Sequence, residues 1–172
     1  NATASNNGPL TCTRTSVTLT ATGGGTYAWS NGATTATTTV TTPNTYSVTV
    51  TGTNGCTATA STIVTENITP PNATASNNGP LTCTRTSVTL TAIGGGTYAW
   101  SNGANTSTTT VTTVGTYSVT VTGSNGCTDV ASTIVTENIT PPNATASNNG
   151  PLTCTRTSVT LTATGGGTYL WS

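Results

Sequence analysis

Charge is almost missing from this chain: its 172 residues carry three arginines and three carboxylates, with no lysine and no histidine. Methionine and phenylalanine are absent as well. With carboxylates only at Glu66, Asp129 and Glu137, no acid–base pair, nucleophilic triad or metal cage can be assembled, so the chain is not expected to be an enzyme. The same scarcity excludes a basic face for nucleic acid and a polybasic membrane contact. No apolar run approaches the ~20 residues of a membrane span, and no signal peptide opens the chain. Calcium held between units would need several carboxylate oxygens per site, more than these three residues supply. The run Gly23-Gly24-Gly25 lacks the lysine and the following helix of a phosphate loop and reads as a turn. No cofactor is expected beyond covalent glycans.

What the chain does contain is threonine, valine and a period. Asn1–Pro71 recurs as Asn72–Pro142 with eight substitutions, and Asn143–Ser172 begins the copy again. A fixed period of 71 residues implies an array of small structural units, with the function belonging to the array rather than to one pocket. The expected organisation is one unit over 1–71, a second over 72–142 and the start of a third over 143–172, the whole reading as a window from a longer tandem protein. Disorder usually accompanies high charge and few β-branched residues, and here both signs are reversed.

Alternation sets the fold class. In Val17-Thr18-Leu19-Thr20-Ala21-Thr22 apolar residues take one face and threonines the other, as they do in Tyr46–Thr51. Thr38–Thr41 and Thr57–Val64 follow the pattern more loosely. Gly23–Gly25, Asn31-Gly32 and Asn54-Gly55 fall between these runs, where turns require positive φ. Five to seven short strands at this spacing predict an all-β chain of tandem immunoglobulin-like β-sandwich domains. Trp29, Trp100, Tyr46 and Tyr117 are the expected core aromatics, with Tyr27 and Trp29 on the third strand. Asn44 becomes Gly115 in the second copy, which suggests a left-handed turn position. Thr65–Asn72, with Pro70-Pro71, reads as a short stiff junction.

Such small units, poor in large apolar side chains, need support from disulfides or neighbours. Each complete unit has two cysteines 44 positions apart, Cys12 with Cys56 and Cys83 with Cys127, and Cys154 is left over. Regular pairs in a threonine-rich β array point to disulfides and an oxidising compartment. A metal or redox site fails for want of histidine and of CxxC spacing. Closing such a loop within a unit is worth about 4 kcal/mol on the chain-entropy argument. In a simple immunoglobulin topology, however, the two cysteines of one unit lie at opposite ends of a six-residue strand, about 20 Å apart. A disulfide needs Cα atoms within about 7 Å. Three arrangements therefore stay open: a within-unit bond, ranked first, which requires the first strands to bend away from that topology; a bond across the junction from Cys12 to Cys127; and free thiols.

The strings Leu10-Thr11-Cys12, Ser16–Ala21, Gly24–Gly32, Thr45–Thr51 and Asn54–Thr57 together resemble the immunoglobulin-like (PKD-like) repeats of giant surface and secreted proteins in Bacteroidota. Those proteins include gliding-type adhesins exported by the type IX system. The resemblance runs through every unit end to end. It implies a sandwich fold, a place outside the cell or on its surface, and a role as stalk, adhesin or fibre subunit. It implies no ligand.

Outward-facing Thr18, Thr20, Thr49 and Thr51, with Thr89, Thr91, Thr120 and Thr122, would coat the units with hydroxyls. Strand propensity alone explains them, O-glycosylation is a second reading, and ice binding ranks well below both because sandwich sheets twist. Asn-X-Ser/Thr patterns at Asn1, Asn67, Asn72, Asn105, Asn138 and Asn143 arise easily by chance in such a composition. An Arg14–Glu66 ion pair is also conceivable, worth at most about 1 kcal/mol. The functional expectation is an extracellular structural or adhesive fibre whose partners are copies of itself. The neighbouring chain could also complete the third unit by strand donation. A carbohydrate-binding adhesin module, with Trp29 and tip loops contacting surface glycans, is the alternative.

Overall fold

A computed structural model describes the whole chain, residues 1–172. It is all β, without a helix, and its eighteen strands fall into two full sets and a partial third. The first set comprises β1 (Thr3–Asn6), β2 (Leu10–Thr11), β3 (Val17–Thr22), β4 (Thr26–Trp29), β5 (Thr37–Val40), β6 (Asn44–Thr51), β7 (Thr57–Val64) and β8 (Glu66–Asn67). The second repeats them as β9 (Thr74–Asn77), β10 (Leu81–Thr82), β11 (Val88–Ile93), β12 (Thr97–Trp100), β13 (Thr108–Val111), β14 (Gly115–Thr122), β15 (Thr128–Val135) and β16 (Glu137–Asn138). Only β17 (Thr145–Asn148) and β18 (Leu161–Thr164) form in the third.

Each full set is an immunoglobulin-like sandwich. The sheet β1-β3-β5 packs against the sheet β4-β6-β7, both antiparallel, while β2 and β8 form a short parallel pair. The period-two pattern decides what is inside: Val17, Leu19 and Ala21 of β3 meet Tyr46, Val48 and Val50 of β6, with Leu10, Trp29, Val40 and Val64 completing one buried cluster. A second, separate cluster joins Leu81, Val88, Leu90, Ala92, Trp100, Val111, Val119, Val121 and Val135. The side chain of Asn6 closes the gap between sheets, donating from Nδ2 to Thr62 Oγ1 at 2.8 Å and to Ile63 O at 2.9 Å. Asn77 does the same to Thr133 and Ile134.

Trp29 and Trp100 are buried plugs, as expected, each donating Nε1–H to a backbone carbonyl, of Thr35 and Thr106 respectively. Tyr46 is buried, with its hydroxyl on the Thr42 carbonyl at 3.0 Å, but Tyr117 is only half-buried. Beside Tyr117 the second copy has Val114 for Pro43 and Gly115 for Asn44, and a Cβ at Gly115 would stand 3.9 Å from the Tyr117 ring. The left-handed conformation expected at this position appears only in the second copy, where Gly115 has φ 153°; Asn44, which opens β6, keeps a negative φ. The stiff junction is also shorter than expected, since Glu66 and Asn67 extend the sandwich by pairing with Leu10 and Thr11. Arg14 makes no pair with Glu66; its Nη1 donates to Asn7 O at 2.9 Å and ties the β2–β3 turn to the end of β1.

In the third set the face that would be core stands open. Leu161, the counterpart of Leu19, is 58% exposed, against 0% for Leu19. The opposing sheet accounts for that difference. Leu19→Ala should therefore destabilise the first sandwich by about 2–5 kcal/mol, whereas Leu161→Ala should stay within about 0.5 kcal/mol, as read by urea denaturation.

Candidate functional site

The two cysteines of a sandwich leave it at opposite ends. Cys56 immediately precedes β7, whereas Cys12 follows β2, which pairs with β8 beyond the far end of β7. An eight-residue strand spans about 27 Å, so the within-unit bond cannot close. The structure holds the cross-junction alternative: Cys12 is bonded to Cys127, with Cα atoms 5.0 Å apart. Cys56 and Cys83, expected to be bonded inside their units, are exposed free thiols, as is Cys154. The end of a unit carrying the Cys56 or Cys127 turn is its leading end, and the end carrying Cys12 or Cys83 its trailing end.

Local hydrogen bonds build the leading-end turn before any partner is considered. Asn125 Oδ1 accepts from Cys127 N at 3.1 Å, Gly123 N donates to Cys127 O at 2.9 Å, and Gly126 N donates to Gly123 O at 3.0 Å. Around Cys56 the same loop forms with the corresponding bonds at 3.1, 2.8 and 2.9 Å. The trailing-end turn is equally self-contained. Thr11 N donates to Arg14 O and Arg14 N donates to Thr11 Oγ1, both at 2.9 Å, and Thr82 with Arg85 repeats this. Both faces are therefore preformed, and bonding costs little ordering.

Where the ends meet, polar groups interlock around the disulfide. Asn125 Nδ2 donates to Asn67 Oδ1 at 3.1 Å and to Thr69 O at 2.9 Å. The turn glycine Gly126, at φ 76°, packs so closely that an added Cβ would fall 2.4 Å from Thr13 Cγ2. Cys127 is consequently buried, at 2% exposure, although its twin Cys56 lies open. Behind the contact, Asp129 Oδ2 accepts from Ala73 N at 2.9 Å, holding the start of the second sandwich beside the linker prolines. The substitution Ala58 to Asp129 supplies that anchor only in the second copy.

The hydroxyl coat is less open than the alternation alone suggests. Thr18, Thr20, Thr49 and Thr51 point outward but are half-buried, and so are Thr89, Thr91, Thr120 and Thr122. They sit on central strands, where side chains from both neighbouring strands shelter them, in rows such as Ser5–Thr20–Thr37. Freely exposed hydroxyls include Thr37, Thr39, Thr57 and Thr59 on outer strands, besides Thr22, Thr45 and Ser47 on the central ones. Trp29, at 4% exposure and with its N–H committed, offers no stacking face to a sugar.

Gly55 and Gly126 share the same left-handed φ, 77° and 76°, so alanine costs the same local strain at both, about 1 kcal/mol. Only at Gly126 would the new methyl strike Thr13. Gly126→Ala should therefore lower the yield of the Cys12–Cys127 bond on oxidative refolding, and Gly55→Ala should not. Peptide mapping of the two variants checks this, and equal yields would show that the contact does not steer pairing.

No protein-family model matches the chain, and no curated protein matches it. Among solved structures, one from a study of the host cell surface retention of a 1.5-MDa bacterial ice-binding adhesin matches at 17% identity with a TM-score of 0.53. The match covers 86% of this chain and 68% of that one. Murine CEACAM1b aligns at 15% identity over 81% of this chain and 100% of its own, but a TM-score of 0.37 is too low to carry weight. At such identity the adhesin likeness speaks to architecture: the chain has the all-β sandwich fold of that adhesin region.

Proposed function

We propose that this chain is a segment of an extracellular stalk or fibre, adhesive or structural, built by stacking near-identical sandwiches end to end. The observation that carries this reading is the junction, where a disulfide and the Asn125 bonds fix one sandwich onto the next. A chain-entropy estimate for a bond spanning 115 residues is about 5 kcal/mol, comparable to the whole stability of a small domain. Such a bond belongs in an oxidising compartment, which favours the cell surface or beyond. The likeness to a bacterial adhesin region is consistent with that setting. Within the reading fall an origin among the Bacteroidota surface repeats that the motifs resemble, export by the type IX route, and O-glycans on the outer-strand threonines. The role is mechanical and needs no catalysis and no cofactor.

The test is small-angle scattering of the oxidised and reduced chain. The oxidised form should scatter as a rigid rod, and reduction or Cys12→Ser should broaden the distance distribution as the first two sandwiches begin to reorient independently. Identical, flexible profiles in both states would remove the stalk reading. Binding of the oxidised chain to a glycan array would redirect it toward a carbohydrate-binding module.

A further inference from the structure

The Cys12–Cys127 bond spans 115 residues, and nearly all of both cores lies inside the loop it closes. Of the first buried cluster only Leu10 falls outside residues 13–126, and of the second only Val135. The stretches outside the loop run from end to end of each sandwich. The chain enters the first at its leading end, where Asn1 and Ala2 line one cleft with Cys56 and Thr57. β1 then follows β7 in the same direction, so that Asn6 reaches Thr62 and the Ile63 carbonyl. Pairing of Leu10 and Thr11 with Glu66 and Asn67 brings Cys12 to the trailing end. Across the disulfide the chain resumes at Cys127, the leading end of the second sandwich, and β15 and β16 carry it to the trailing end there. Strands are already extended and cannot be drawn out further. The slack is confined to the links flanking β16 and to the turn at Asn7–Pro9, which Arg14 clamps through Asn7 O at 2.9 Å.

We infer that the Cys12–Cys127 bond is a covalent bypass for tension. Force drawn along the chain passes through β1, β2, the disulfide, β15 and β16, and leaves residues 13–126 out of its path. The stalk reading supplies the tension, and the bypass rests on it for nothing else. Without the bond, each sandwich pulled by its ends would have to resist through its own packing, and these cores are small and rich in valine. With the bond, a core can open and close again while covalent links hold the distance between its ends. A fully extended loop of this length would add about 400 Å to the chain, and the disulfide withholds all of it. The two sandwiches are thereby locked as a pair, so that neither lengthens the chain by unfolding alone.

The experiment stretches single molecules of the full chain by handles ligated to its two termini, before and after reduction with dithiothreitol. The oxidised molecule should show no step long enough to be a sandwich unfolding. After reduction two such steps of about 200 Å each should appear, and Cys12→Ser should show them without reductant. Residues 143–172 lengthen alike in both states and drop out of the comparison. Leu19→Val, a mild change to the first core, should lower the force of one long step after reduction and leave the oxidised trace unchanged. Long steps in the oxidised molecule, a final length that reduction does not alter, or an oxidised trace that moves with Leu19→Val would each overturn the inference. Any of these from a chain that still scatters as an oxidised rod would leave the stalk reading standing. A locked trace from a chain that scatters as a flexible string would support the bypass and remove the stalk reading.

Discussion

Everything about this chain depends on one geometric constraint: two cysteines in a unit are held at opposite ends of the strand that separates them. Extended backbone cannot be shortened, so a unit cannot join its own two thiols, and the bond that does form, Cys12–Cys127, runs to the next unit. The unit is thereby converted from a bead into a link. What in most small secreted domains would staple a core here staples one domain to the next, and the core must hold by packing alone.

That core is small, with ten buried side chains in the first sandwich and nine in the second, and much of it is valine. Its compensation is order in the surrounding polar groups. Thr3 and Thr22 bond hydroxyl to hydroxyl at 2.6 Å across strands, Asn6 bridges the two sheets, and Asn7 Oδ1 accepts from Thr18 N. Each such bond contributes about 1 kcal/mol. They come from short side chains that lose little rotamer entropy when fixed, unlike the long charged residues the chain avoids. Threonine thus serves twice, as a β-branched strand former and as a local hydrogen-bonding group.

Val17–Thr22, which alternates cleanly, forms with those bounds, as does Thr57–Val64 despite its looser pattern, and Trp29 plugs the core. The short strands Thr3–Asn6, Leu10–Thr11 and Glu66–Asn67 were not legible from the residues, because pairing with β3 and with each other creates them rather than any periodicity of their own. The Asn44/Gly115 exchange was informative for one copy only: Gly115 takes a positive φ, while Asn44 stays in extended backbone at the start of β6. The cysteine pairing was legible as three open arrangements, with the Cys12–Cys127 bond that forms ranked below the within-unit one. The 20 Å argument already made the within-unit bond awkward, but nothing in one unit tells how the next one sits.

The differences between the copies bear on how such a stack propagates. All eight substitutions fall outside the residues that make the junction; Cys12, Thr13, Asn67, Thr69, Asn54, Gly55 and Cys56 recur unchanged as Cys83, Thr84, Asn138, Thr140, Asn125, Gly126 and Cys127. Each sandwich therefore carries a complete donor face and a complete acceptor face. A contact made once can be made at every step with the same geometry. With no net charge, accumulated units do not repel one another as they align. Variation is confined to places where it changes a unit internally, such as the Asp129 anchor or the uncovered Tyr117, and leaves the rule for joining units untouched. Repeats that join by one contact need this separation: the ends must be invariant for the contact to recur, whereas the flanks are free to differ.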